Sequence, residues 1–203
     1  MHQTSQNEPS QKASYVIDPV TLREVVNNEA LVLARISELE TAGESGDKER
    51  IAWLRMIGRL QDAEELGWVL LVRSGGANAM HDIFAPLPFE AVPDALRLAH
   101  VLHWQRNYTQ AELLFGAALE AGRRAVGEMD KNSRIARTLV AFTHQHLGKM
   151  YFDQGQLATA LRCFEHALAL RHELQSPVDQ LQSTRQAIAT TESRMSPAKT
   201  SLP

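Results

Sequence analysis

The chain has 203 residues, of which 44% are hydrophobic, 6% aromatic and 22% charged; 21 Lys and Arg stand against 24 Asp and Glu, a formal net charge of −3. That length suits one compact domain or one short solenoid with a sizeable core. Near-neutral charge argues against a dedicated nucleic-acid binder, and a single cysteine, Cys163, excludes a disulfide framework and any cysteine-based zinc site.

The first fourteen residues, MHQTSQNEPSQKAS, are polar and carry no signal-peptide core. Residues 1–14 read as a mobile tail, 15–195 as one folded domain, and the polar stretch 196–203 as a second tail. At Asp18-Pro19 the sequence offers a helix start, Asp as cap and Pro in the first turn. Leu22, Val25, Val26, Leu31, Leu33, Ile36 and Leu39 follow mostly three or four apart, which predicts one helix running to the breaker cluster around Gly43. A second helix is predicted over 47–57 and a third over 60–73, with Gly58 between them. The longest apolar run, Trp68 to Val72, is far short of the ~20 residues of a membrane span.

Residues 74–92 hold Gly75-Gly76, Pro86 and Pro88 and are the least helical part of the chain. Their apolar residues Ile83, Phe84, Leu87 and Phe89 predict a packed connector; the alternative is a lid over a site. Helical spacing returns over 93–105, 108–126, 132–153, 157–174 and 177–193, with Ser176 and Asp179 in a capping-box arrangement. No stretch sustains strand-like alternation, so the predicted class is all-α.

The chain also repeats itself. At an offset of 49, Leu98 falls on Leu147, Ala99 on Gly148, Ala111 on Ala160, Phe115 on Phe164, Ala118 on Ala167 and Leu119 on Leu168. An offset of 48 carries Ala111 back to Ala63, Arg106 to Gly58 and Leu102 to Leu54, in a degraded copy where Gly67 stands in place of the Phe. Small residues at 148 and 160 let two antiparallel helices approach closely, while Tyr151 and Phe164 fill the space beside them. Leu147, Gly148, Tyr151, Gly155, Ala160, Phe164 and Ala167 together resemble the signature of the tetratricopeptide repeat. The period of 48–49 is longer than that family's ~34 residues, so helices or connectors must be extended. The resemblance implies a right-handed α-solenoid of about three helical hairpins, closed by capping helices at both ends. The last helix, with Gln180, Gln182, Ser183, Arg185 and Gln186, has the polar outer face a cap requires.

It further implies a scaffold that binds proteins or peptides on the concave face formed by the first helix of each repeat. On that face the helical stripe is rich in bases and carries one acid, Asp153. The candidate groove residues are Arg55, Arg97, His100, Trp104, Phe142, Gln145, His146 and Lys149. Such a stripe suits an acidic peptide or a carboxylate, held by charge-assisted hydrogen bonds with Trp104 and Phe142 as apolar anchors. The bland reading is a solvated basic face. The histidines at 100, 103, 144 and 146 lack the carboxylate shell of a zinc site and read as packing residues, so no metal and no cofactor is expected. Cys163 reads as core, and Gly75-Gly76 lacks the strand, helix and Lys of a phosphate loop. The reading is therefore a non-enzymatic, cytoplasmic adaptor for a protein or peptide partner, with no membrane and self-association left open. The alternative is a ligand-responsive regulator whose 74–92 segment closes over a peptide or small molecule.

Overall fold

The computed structural model of the protein describes residues 12–76, 86–128 and 133–196. Within them a two-stranded antiparallel hairpin, β1 (Tyr15–Ile17) and β2 (Glu24–Val26), precedes eight helices. These are α1 (Glu29–Thr41), α2 (Glu44–Met56), α3 (Leu60–Arg73), α4 (Val92–Trp104), α5 (Tyr108–Glu128), α6 (Arg134–Asp153), α7 (Leu157–Glu173) and α8 (Val178–Met195), with a 3-10 turn at Phe89–Ala91. Each helix packs on the next from α1 to α8, and α2, α4, α6 and α8 also touch in succession. The helical part is thus an all-α bundle stacked in the order of a helical-repeat array.

The repeat is physical as well as textual. Between α2 and α3, α4 and α5, and α6 and α7, the chain turns through a residue in the left-handed region: Gly58 (φ 81°), Arg106 (φ 63°) and Gly155 (φ 74°). The next N–H then bonds back five residues, Arg59 to Leu54, Asn107 to Leu102 and Gln156 to Tyr151, each at 2.9 Å. This bond satisfies a carbonyl that the helix end would otherwise leave open. The α6–α7 contact is tight at Gly148, where a Cβ would sit 2.5 Å from Phe164 Cε1. In the degraded copy Gly67 plays a different part: a Cβ there would meet Leu98 Cδ1 at 2.9 Å, so the missing Phe is replaced by closer approach of α3 to α4. The long period comes from α5 and α6, of 21 and 20 residues, and from the connector before α4.

The chain departs from expectation at its start. The helix predicted from Asp18 is a β-hairpin, and α1 begins only at Glu29, capped by Asn28 Oδ1 accepting from Leu31 N–H at 3.2 Å. Asp18 does cap, but its Oδ1 accepts from Val20 N–H (3.0 Å), Thr21 N–H (2.6 Å) and Thr21 Oγ1 (2.8 Å), closing a turn rather than a helix. The same Asp chemistry serves both structures. Ser176 makes no side-chain cap; Pro177 holds the position before α8. Of the connector, Leu87 is buried and Phe89 packs on the core, with Leu87 C=O accepting from Arg124 Nη2 at 3.0 Å. Ile83 and Phe84 lie outside the described residues, as do 1–11 and 197–203 of the predicted tails.

Candidate functional site

The stripe positions of α2, α4 and α6 converge on a cavity of about 870 Å3, roofed by the β-hairpin on one side and α8 on the other. Arg55, His100, Phe142, Gln145, His146 and Lys149 line it. Arg97 does not: it is partly exposed and pairs with Asp94 on its own helix at 3.0 Å. Trp104 also stands outside, with the guanidinium groups of Arg55 and Arg23 over its ring at 4.6 and 5.1 Å. The polar residues of α8 expected to face outward instead turn partly inward, since Gln180, Gln182, Ser183 and Gln186 line the cavity.

The centre of the site is Glu24, delivered by β2. It is 8% exposed; its Oε2 accepts from Arg55 Nη1 at 3.0 Å and its Oε1 from Lys149 Nζ at 2.8 Å. His100 Nε2 lies 3.9 Å from the same carboxylate. Burial opposes charge on Glu24, but Arg55 and Lys149 outweigh it and hold the carboxyl well below the usual range. Burial pulls the Lys149 ammonium down, and Glu24 offsets part of that. Beside this trio Asp153 bridges Arg23 Nη2 at 2.6 Å and His103 Nε2 at 2.9 Å.

Of the four histidines of α4 and α6, His100 and His146 line the cavity. The His100 and His146 rings lie 4.2 Å apart, and His144 faces His166 at 5.1 Å. Burial pushes His100 well below its ordinary value, His146 to about 3 and His144 to about 4; His103 is lowered too, although Asp153 works the other way. At neutral pH all four are uncharged. Among the described residues no three His, Cys, Asp or Glu side chains are grouped to hold a metal ion.

The far end of the cavity holds Arg171, from α7. Only 3% exposed, it directs Nη1 at three neutral acceptors: Gln145 Oε1 (3.2 Å), Gln180 C=O (2.9 Å) and Thr184 Oγ1. Its guanidinium lies over Phe142, 5.4 Å from the ring centre. Burial lowers it to about 10, with Asp179 at the cavity rim opposing. Among the described residues no carboxylate forms an ion pair with it. Because Gln145 offers its oxygen to Arg171, the amide nitrogen points elsewhere, and that buried Nε2 has no partner among the described residues.

Glu24, Arg171 and the α8 glutamines were not legible as site residues. Glu24 sits in a pair of three-residue strands, too short for alternation to register. Arg171 did leave a trace: Ala160, Phe164, Ala167 and Arg171 share the buried face of α7 at helical spacing.

Residues 95–132 and 141–173 each match the tetratricopeptide repeat family. The region 95–173 is a tetratricopeptide-repeat region. Its two matched repeats correspond to α4–α5 and α6–α7, while α2–α3, which carries Gly67 in place of the Phe, falls outside the matched residues. Folds built from such repeats generally serve as scaffolds for proteins or peptides. No curated protein and no solved structure matches the chain significantly. Among the described residues no helix is long and apolar enough to cross a membrane.

Proposed function

We propose that the protein is a non-enzymatic scaffold whose repeats wind as a right-handed solenoid of three hairpins, and whose inner groove takes an acidic peptide segment or a carboxylate. The observation that carries this reading is Arg171, a buried guanidinium in an open cavity whose hydrogen bonds within the chain go to neutral oxygens. A buried cation is stabilised most by an anion that hydrogen-bonds to it. Gln145 Nε2 adds a donor beside it, and Phe142 an apolar surface beneath it. Arg55 and Lys149 extend the basic wall, with His100 and His146 as neutral lining.

Calorimetric titration with hexaglutamate and hexaglutamine peptides tests the reading. Hexaglutamate should bind, hexaglutamine should not, and Arg171→Met should weaken binding by about tenfold or more, the worth of a charge-assisted hydrogen bond. Equal, negligible affinity for both peptides overturns it.

A further inference from the structure

We infer that the N-terminal hairpin is the groove's built-in occupant, and that an external acidic segment enters by displacing it. The inference rests on the groove reading above and adds its regulation. Arg55 and Lys149, two of the groove's three buried cations, are already taken by Glu24, a carboxylate 31 and 125 residues away in sequence. Glu24 thus stands where a ligand carboxylate would stand, and of the three cations Arg171 alone has no ion-paired carboxylate among the described residues, with Asp179 at the rim of its end.

The way the hairpin is held fits an exchangeable part. An isolated two-stranded hairpin is marginal in water, so its order depends on docking. Leu22 is its one fully buried apolar side chain, packed with Phe152, Phe164 and Ala187. Val16, Val20 and Val25 are about half exposed or more. Val26 packs, part-buried, on the core formed by α1, α2 and α3, and Tyr15 meets the Trp53 ring edge-on at 6.2 Å. The other ties are polar: Arg23 to Asp153, Thr190 Oγ1 to Pro19 C=O at 2.9 Å, and Arg194 Nη2 to Val20 C=O at 2.8 Å. Leu22 itself sits at φ 59°, a left-handed backbone that a branched side chain adopts at a cost, and undocking relieves that cost. An acidic segment that first engages Arg171 can then offer a second carboxylate to Lys149 and Arg55. Those cations exchange one partner for another without passing through a state in which they are buried and unpaired, which would be the costly step.

The test uses the full chain and hexaglutamate as probe, with calorimetry for affinity and amide exchange for the hairpin. The reporters are Asp18 N–H and Asn27 N–H, which donate to Arg23 C=O and Ser14 C=O across the hairpin. Saturating hexaglutamate should speed exchange at both by about tenfold or more while α6 and α7 stay protected. Glu24→Gln should bind about tenfold more tightly, because a larger fraction of molecules is open. Should Glu24→Gln fail to fold, Arg194→Ala releases the turn without touching the groove, and should tighten binding about threefold. Binding at the same affinity in wild type and variants, with the hairpin still protected, overturns the inference and leaves the groove reading standing. Binding by none of the folded proteins overturns both.

Discussion

The α6–α7 hairpin and the β-hairpin lie against each other and are held by opposite means. In the first, Gly148 and Phe164 meet so closely that no side chain fits between them, and the seam continues through Ala160 and Ala167. In the second, one leucine is fully buried, Val26 and Tyr15 pack at the edge of the core, and the remaining ties are carboxylates, guanidinium groups and carbonyls. Close packing is lost all at once when it is lost, because a void or an overlap has no cheap alternative. Polar docking has an alternative in any group that offers the same charges. The tight seam makes a frame, and the polar attachment a part that the frame can release.

Acid gives the largest effect and tests the buried histidines of α4 and α6. Folding keeps His100, His103, His144 and His146 neutral. Below about pH 6.5 the unfolded chain therefore takes up protons that the folded chain refuses, and stability falls as pH drops, by at most about 1.4 kcal/mol per pH unit for a ring while the pH lies between its unfolded and folded values. The loss continues down to the folded values, about 4 for His144 and about 3 for His146. Glu24 remains charged through that window. Urea midpoints at pH 7 and pH 5 should differ markedly, and equal midpoints would show that the rings are not held neutral.

Phe164→Ala comes next, with an expected loss of about 3–5 kcal/mol in global stability by denaturant melting. Leu22→Ala sharpens the contrast. Its loss of about 2 kcal/mol should appear as faster exchange at Asp18 and Asn27, with the global midpoint barely moved. A global loss as large as that of Phe164→Ala would mean that the hairpin belongs to the frame. The smallest effect is a gain: Arg106→Gly, at the left-handed turn where Gly58 and Gly155 stand in the other hairpins, should add about 0.5–1 kcal/mol in the same melting assay.

How much of this was legible follows the range of the forces involved. The helical hairpins showed in the sequence because apolar spacing and small-residue contacts recur at 48 and 49 residues, and the turns at Gly58, Arg106 and Gly155 fall on that offset. The polar cavity lining showed through the helical stripe, at Arg55, His100, Gln145, His146 and Lys149. What did not show was the partner of those bases. Glu24 reaches Lys149 across 125 residues, and no local pattern encodes such a pairing. Asp18 then pointed the wrong way, since an aspartate accepting two backbone N–H groups opens a helix or closes a turn with equal chemistry. Arg97 and Trp104 lay on the predicted stripe, but a pair with Asp94 and a cover of guanidinium groups keep them off the cavity wall.

The bonds from Thr190 and Arg194 to the carbonyls of Pro19 and Val20 span 171 and 174 residues, so they tie the last helix to the first turn. Arrays of this kind ordinarily behave as a line in which each unit senses only its neighbours and the ends fray independently. Here the line is closed into a loop. During synthesis the hairpin can meet Arg55 of α2 early and Lys149 and Asp153 of α6 later, while its ties to α8, being the most distant in sequence, should form last. Loss of α8 would then be felt first not at the C-terminus but at the hairpin, through a change in the kinetics of its docking.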